Sequence, residues 1–377
     1  MQRVGNVLSW GTDVEEATLI QAQQAARMPF VAGHVALMPD AHVGMGATIG
    51  SVIPTQGAII PSAIGVDIGC GMIAVETPLH SGVLPDDLGR LHGYVARAVP
   101  AGVGQGHSTA RDITIPSHFS QKEAATAANQ FGSLGSGNHF VEVCLDERDR
   151  VWAVLHSGSR GIGNRLATKH IDGAKKLMKQ YFIELEDPDL AYLVQGTPEF
   201  DAYIADMLWS QEYALGNRAA MMDAVLAELR RFVGDDFDEV RRINCHHNFT
   251  QMEHHHSRDV WLTRKGAVKA GPSDEAVIPG SMGTSSYIVR GKGNPASYQS
   301  CSHGAGRRLS RSAARKTLTV ESLGEAMRGR AWNDADAQTL LDEHPLAYKD
   351  IDQVMADQAD LVEIEHTLHQ ILNYKGT

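Results

Sequence analysis

Residues 35–76 read VALMPDAHVGMGATIGSVIPTQGAIIPSAIGVDIGCGMIAVE. Small and β-branched residues dominate, and glycine recurs throughout. Short apolar runs such as Ala58–Ile60 and Met72–Val75 are bounded by Gly or Pro. That texture predicts buried strands joined by tight loops. Upstream, Glu15–Arg27 is Ala-rich and free of Gly and Pro, which predicts a helix ended near Pro29. Downstream, helices are predicted over Leu84–Val99 and Lys122–Phe131, with a polar, glycine-rich loop from Gly102 to His118 between them. Phe140–Leu145 and Val151–Leu155 read as a strand pair around a DERDR turn. Helices should dominate from Asn164 to about Val233, broken at Asp187–Pro198. Strands follow at Val260–Thr263, Ala276–Ile278 and Ser286–Arg290. The closing segment, Ile351–Tyr374, places Ile351, Val354, Met355, Leu361, Ile364, Leu368 and Leu372 at helical spacing and predicts an amphipathic helix. Helices and strands intermingle without the regular alternation of a doubly wound sheet, so the expected class is α+β. With no internal repeat and no low-complexity linker, one domain over residues 1–377 is expected.

The composition is that of a globular enzyme: 43% apolar and 21% charged over 377 residues. No apolar run approaches the ~20 residues of a membrane span, and the start, MQRVGNVLSWGTDVEEATL, lacks a basic stretch followed by an apolar core. A cytoplasmic protein without membrane partners is expected. The four cysteines, Cys70, Cys144, Cys245 and Cys301, are too few and scattered for a disulfide framework, and at least one is better explained as a ligand. A net charge of −11 argues against a protein coated in nucleic acid. Yet from Arg264 to Lys316 ten Lys or Arg face only Asp274 and Glu275, a local balance of +8. Such a stretch suits either a confined phosphate site or a solvated loop face.

Five motifs carry chemistry. In GVDIGCG, Asp67 and Cys70 stand three apart on a glycine-rich turn and can converge on one cation. A thiolate with a carboxylate suits Zn, Mn or Fe better than Mg or Ca; a structural cysteine beside a turn aspartate is the alternative. GSLGSGNHFVEV brings Asn138, His139 and Glu142 to the start of a strand. LHSGSRGIG places His156 at a strand end, followed by Ser157, Ser159, Arg160 and glycines that open a helix and resemble a phosphate loop. Either histidine alone reads as an ordinary core or surface residue; together, at strand ends beside glycine loops, they favour ligation. INCHHNFT offers Cys245, His246, His247 and Asn248, and alternation along a strand lets only one of the two histidines reach a shared site. The run His254–His256 in MEHHHSRD reads as a solvent-exposed turn. Finally, CSHGAGRRLSR sets His303 before Gly304, Ala305 and Gly306, then Arg307 and Arg308, with the small-residue loop IPGSMGTSS (Ile278–Ser286) upstream. Glycines admit a phosphate close to the backbone and arginines compensate its charge. There a neutral imidazole can attack phosphorus; from the residues alone, metal ligation by His303 is the equal alternative.

Taken together, the motifs resemble those of the RtcB family of 3′-5′ RNA ligases. MPDAHVGMGATIGSVIP, GVDIGCGM, LGSGNHFVE, LHSGSRGIGN, NCHHN, RKGAV, PGSMGTSSYIVRG, SHGAGR, AYKDID and YKG occur in the family's order, from about Met38 to Lys375. The resemblance implies an α+β fold with mixed or antiparallel sheets at the core and helices outside. It also implies two Mn²⁺ ions bridged by Cys70, one held with Asp67 and His139, the other with His156 and His247. His303 would be the nucleophile that accepts GMP from GTP. The guanylate pocket would draw on Asn138, His139, Phe140, Val141, Glu142, His247, Asn248, Pro279, Gly280, Ser281, Met282, Ser286, His303, Gly304, Ala305, Gly306 and Lys375. The implied substrates are RNA ends, a 2′,3′-cyclic phosphate or 3′-phosphate and a 5′-hydroxyl, in RNA repair or tRNA splicing, with room for an archease-like activator. Two departures stand out: Met45 replaces a lysine common in relatives, and the segment from Ala101 to Phe131 is short. A metal-dependent phosphoesterase that opens cyclic phosphates without ligating is the competing enzyme. A non-catalytic RNA-binding descendant is the other alternative.

Overall fold

The structure, a computed structural model, describes residues 1–376. The stretch that opens the analysis becomes Val35–His42, Ile49–Thr55, Ala58–Ile59 and Gly71–His80, four strands divided among three sheets. Val35–His42 and Ile49–Thr55 lie in a six-stranded sheet that runs in the order Gln2–Val4, Val7–Ser9, Val35–His42, Ile49–Thr55, Arg258–Lys265, Asn248–His255. Only the pairing of Val7–Ser9 with Val35–His42 is parallel. Gly71–His80 lies in a seven-stranded antiparallel sheet ordered Arg241–His246, Gly71–His80, Arg150–Ser157, Phe140–Leu145, Val362–Lys375, Ser286–Gly291, Glu275–Ile278. The expected α+β class, antiparallel sheets with helices outside, is what the chain adopts.

Both faces of the seven-stranded sheet are buried, which explains runs such as VWAVLH that lack polar alternation. Val151, Ala153 and Leu155 face outward against Met221, Met222, Val225 and Leu226 of the helix Pro198–Val233. Trp152 and Val154 face inward and pack with Met72, Ile243, Val277, Ile288 and Leu368. That inner cluster joins residues from opposite ends of the sheet, so the sheet curls nearly into a barrel. Arg241 of one edge strand reaches Glu275 of the other at 2.6 Å and also pairs with Glu365. The long helix starts on a Thr197 side chain that caps the Phe200 N–H, with Pro198 in its first turn, and stops at Gly234 (φ +72°). The helices Arg160–Gln180, Gly89–Ala98 and Gln121–Gln130 pack around it. No helix among the described residues is long and apolar enough to cross a membrane.

One expected element is wrong. Ile351–Tyr374 is a short helix, Ile351–Asp357, followed by a 14-residue strand, Val362–Lys375, central to the large sheet. Ile351, Val354 and Met355 do set a helical face. Beyond them, two register shifts insert Glu365 and Ile371 as extra residues against the neighbouring strands. Bulges of this kind break the two-residue alternation that marks a strand and leave a spacing that imitates a helix. Elsewhere the boundaries move by a few residues: the helix expected from Leu84 begins at Gly89, and the one expected from Asn164 begins at Arg160.

Candidate functional site

Four separate segments bring five side chains together. Asp67 and Cys70 sit on a tight turn closed by Cys70 N–H to Asp67 O at 3.2 Å, with Gly69 at φ +73°. A side chain at Gly69 would also meet the Gln211 backbone at 2.9 Å, so only glycine serves there. His139 stands just before Phe140–Leu145, His156 near the end of Arg150–Ser157, and His247 between Arg241–His246 and Asn248–His255. The His247 N–H donates to the Cys70 carbonyl at 2.8 Å, which fixes the two motifs face to face. Cys70 Sγ lies 3.3 Å from His156 Nε2 and 3.5 Å from His139 Nε2. His156 Nε2 is 2.9 Å from His247 Nε2, and His139 Nε2 is 3.1 Å from Asp67 Oδ2. These atoms form two groups, Cys70/His156/His247 and Asp67/Cys70/His139, each within 4.8 Å and sharing the sulfur. His246 points the other way, toward the Gly69 carbonyl at 2.8 Å, as strand alternation requires.

The hydrogen bonds on the far side of each ring test whether a cation fits. His156 Nδ1 faces the Asn138 carbonyl at 3.0 Å, and the nearest partner of His139 Nδ1 is the Leu134 carbonyl at 2.9 Å. A carbonyl only accepts, so His156 Nδ1 carries the proton and its Nε2 turns a lone pair into the cluster. His139 Nδ1 also meets the Arg160 guanidinium at 3.3 Å, and its Nε2 faces the Asp67 carboxylate. Burial pushes His156 and His247 well below the ordinary histidine range, keeping them neutral, as ligands must be. Burial, then the neighbouring Asp67, push the Cys70 thiol up, so its thiolate calls for a compensating cation. Burial works against the Asp67 carboxylate, but the His139 hydrogen bond and the charges of His139 and Arg160 outweigh it and hold Asp67 low. Sulfur, imidazole and carboxylate together fit a divalent transition metal.

Beside this cluster His303 opens a cleft of about 260 Å³. Its ring centroid is 4.9 Å from that of His247. Its Nδ1 sits 2.6 Å from Oδ2 of the fully buried Asp40, which also accepts the N–H groups of His303 (3.0 Å) and Gly304 (3.2 Å). Burial raises the Asp40 carboxyl, but the charge and hydrogen bond of His303 bring it below its usual value. The pair is a close charge contact: Nδ1 lies near the carboxylate but is not aligned with it as a hydrogen bond, so charge proximity favours the ring proton on that side. Gly306, at φ +73°, lets this loop pass the Asp40 backbone, where any Cβ would come within 2.2 Å of the carbonyl oxygen.

The cleft gathers most of the residues expected to hold a guanylate. Asn138, Phe140 and Glu142 form one wall, Pro279, Gly280, Ser281 and Met282 a second, and His303, Gly304, Ala305 and Gly306 the floor, with Lys375 at one side. Val141 is not among them: it faces the helix-side core, one step out of phase with Phe140 and Glu142. Ser286 is buried at the start of Ser286–Gly291, outside the lining. Asn248 braces the metal-binding turn instead, donating to the Asp67 carbonyl at 3.3 Å and accepting from Gly266 N–H at 2.8 Å. His139 and His247 belong to the metal cluster. Burial drives the Glu142 carboxyl up to about 7, although Lys375 and an Asn373 Nδ2 donor at 2.7 Å pull it down.

Sequence reasoning missed Asp40, which lies 263 positions from its partner and shows itself only as a carboxylate inside an apolar strand. It also missed Glu343, a buried hub that meets Lys375 at 2.9 Å, Arg311 at 3.1 Å, Arg307 at 3.3 Å and the Tyr348 hydroxyl at 2.6 Å. No local pattern marks it. The basic stretch divides: Arg264 is buried against Glu253 and Arg290 pairs with Glu365, while only Arg307 and Arg311 line the cleft. The histidine run also divides, His254 and His256 being exposed and His255 buried on Glu253 at 2.8 Å.

Comparison with known proteins agrees with this geometry. The family model described as tRNA-splicing ligase RtcB matches residues 21–117 and 110–376. The RNA-splicing ligase RtcB of Escherichia coli strain K12 is 44% identical over 395 residues, covering 97% of this chain and 96% of that protein. The RNA-splicing ligase RtcB of Mycobacterium tuberculosis is 29% identical, covering 89% of this chain and 95% of its own length. The tRNA-splicing ligase RtcB of Nanoarchaeum equitans is 28% identical, with 90% and 87% covered. On the strength of the whole-length match and of a Cys/His/Asp cluster assembled from the matched motifs, the chain belongs to the RtcB family of enzymes.

Proposed function

We propose that the chain works in the cytoplasm as one ligase unit over residues 1–377. It would use GTP and Mn²⁺ to join an RNA 2′,3′-cyclic phosphate or 3′-phosphate end to a 5′-hydroxyl end through a guanylate on His303. The observation that carries this is the pairing of His303 with Asp40: a buried anion 2.6 Å from Nδ1 favours the ring proton on that side, which would leave Nε2 for attack, and the ring stands beside the ligand cluster in a cleft of about 260 Å³. A phosphoesterase can use the same pair as a general acid or base, so a covalent guanylate on His303 is what separates the two readings.

Asp67, Cys70 and His139 would hold one Mn²⁺, and Cys70, His156 and His247 the other. When bound, the metals withdraw charge from the phosphate oxygens and make phosphorus more electrophilic. His303 Nε2 attacks the α-phosphorus of GTP, the bond to the bridging oxygen breaks, and pyrophosphate leaves. Water opens a cyclic phosphate by breaking the P–O2′ bond, and the 2′-oxygen takes a proton. An oxygen of the resulting 3′-phosphate attacks the guanylate phosphorus, the P–N bond breaks, and Nε2 is freed. The 5′-hydroxyl then attacks the 3′-phosphorus, gives up its proton, and GMP departs. Arg307 and Arg311 line the cleft while paired with Glu343, so their positive charge is partly offset at that side, and Glu142 offers a carboxylate to the N–H edge of guanine. Positioning and charge compensation account for the catalysis expected of such phosphoryl transfers.

Mass spectrometry of the full chain after incubation with GTP and Mn²⁺ tests the proposal. A covalent guanylate that His303→Ala abolishes is expected, together with joining of a cyclic-phosphate RNA to a 5′-hydroxyl RNA. An adduct that survives His303→Ala, or its absence from the wild type, overturns it.

A further inference from the structure

The four segments that bear the ligands share a feature besides the side chains they present. A single turn of the helix Pro198–Val233 touches all of them through two adjacent residues. Asn217 accepts the Gly132 N–H at 2.7 Å and donates from Nδ2 toward the carbonyls of Ser133 (3.3 Å) and Gly158 (3.2 Å). Those atoms belong to the loop that leads to His139 and to the segment just after His156. Arg218 sends Nη1 to the carbonyls of Gly69 (2.7 Å) and Ser157 (3.1 Å) and Nε to Asn244 Oδ1 (2.8 Å). Its Nη2 lies 3.1 Å from His246 Nδ1, which itself meets the Gly69 carbonyl. Gly69 precedes Cys70, Ser157 follows His156, and Asn244 and His246 lead to His247.

Both side chains are fully buried. Among the described residues no carboxylate lies within ion-pair distance of the guanidinium. Burial lowers Arg218 to about 10, so it stays charged at neutral pH. Burying an unpaired cation is costly, and a neutral side chain would fill the space without that cost. What arginine adds is a rigid, planar set of donors, able to hold carbonyls from separate segments in fixed register.

We propose that Asn217 and Arg218 act as a positioning pair that sets the spacing of the ligand-bearing segments, so that cation affinity depends on them beyond any effect on folding. The proposal rests on the reading of the cluster as a divalent-cation site. Neither residue contacts a ligand side chain; both act through the backbone that carries the ligands.

Titration of the metal-free full chain with Co²⁺ reads the site without catalysis, because cobalt–thiolate charge transfer reports the Cys70 bond directly. Arg218→Lys keeps the charge but loses the planar fork, and Asn217→Asp keeps the shape but loses the donors. Each should weaken Co²⁺ binding about 10- to 100-fold, the effect typical of partners that orient metal ligands. Leu226→Ala, in the core of the same helix, should lower the melting temperature and leave cobalt affinity unchanged. The pair is ruled out if both polar variants bind Co²⁺ like the wild type, or if Leu226→Ala weakens binding as much as they do. If Arg218→Lys fails to fold, Asn217→Asp alone decides. A wild type that gives no thiolate band would remove the metal reading itself, which is a separate failure.

Discussion

At the scale of single residues, the proposed chemistry turns on which nitrogen of His303 carries a proton. Asp40 bears on this directly, because its fully buried carboxylate lies 2.6 Å from Nδ1 and its charge favours the proton on that side. Asp40→Asn keeps the size but removes the anion, so the ring is free to place its proton on Nε2, where it blocks attack. Guanylylation should slow by about 100-fold or more, in line with other histidines deprived of their carboxylate, while GTP binding changes little. Single-turnover measurement with labelled GTP checks this, and an unaltered rate would remove Asp40 from the mechanism. Glu142 is the second sensitive residue. Burial raises its carboxyl to about 7, so the fold favours the protonated form; its contribution to stability is undiminished below the unfolded value near 4.5 and is lost as pH climbs toward 7. Nucleotide binding should respond in the opposite sense, since the anion is the better acceptor for guanine N–H groups. GTP affinity should rise with pH up to about 7, by at most about tenfold per unit, and Glu142→Gln should flatten the profile. A wild-type profile that is already flat would place guanine elsewhere. Glu142 was legible in the sequence through the LGSGNHFVE motif and the resemblance it carries, although that reading took in Val141 as well and did not separate the two faces of the strand. Asp40 was not, since nothing local couples it to a histidine 263 positions away.

At the scale of elements, the strands and helices that follow a single period were readable, and the one that changes period was not. Phe140–Leu145 was foreseen to the residue because its buried apolar run is short and bounded. Val362–Lys375 was mistaken for a helix because Ile364, Leu368 and Leu372 stand four apart, the spacing of one helical face. The strand treats them differently: Leu368 is 0% exposed inside the barrel-like sheet, whereas Ile364 is 47% exposed. A helix would bury both together, so the two substitutions separate the structures. Leu368→Ala should cost about 2–5 kcal/mol from lost burial and a cavity, while Ile364→Thr should stay within about 0.5 kcal/mol. Urea unfolding of both variants measures the difference, and equal losses would contradict the strand. The same strand ends on Lys375 in the cleft, so its register, bulges included, also decides whether the lysine faces Glu343 and Phe140.

At the scale of the whole molecule, the Asp/Cys/His cluster would act as a tertiary cross-link once it holds a cation. Its side chains come from positions 67, 70, 139, 156 and 247, carried on segments that meet only when the large sheet closes and the long helix covers it. The glycine-flanked motifs could be recognised one by one; their convergence could not, because it depends on sheet order rather than on spacing along the chain. An unfolded chain cannot offer this geometry, so cation binding and folding are linked. Mn²⁺ at about a hundred times its dissociation constant should add about 2.7 kcal/mol of stability. For a chain of this length that raises the melting temperature by about 3 °C, and a chelator should reverse it. Cys70 belongs to both ligand groups, so Cys70→Ser replaces the shared thiolate by a neutral hydroxyl that brings no negative charge to bridge two cations. The variant should lose the Mn²⁺-dependent shift almost entirely while its metal-free melting temperature stays near that of the wild type. Differential scanning calorimetry with and without Mn²⁺ makes the comparison. A full shift in Cys70→Ser would mean that the stabilising cation binds somewhere other than between these five side chains.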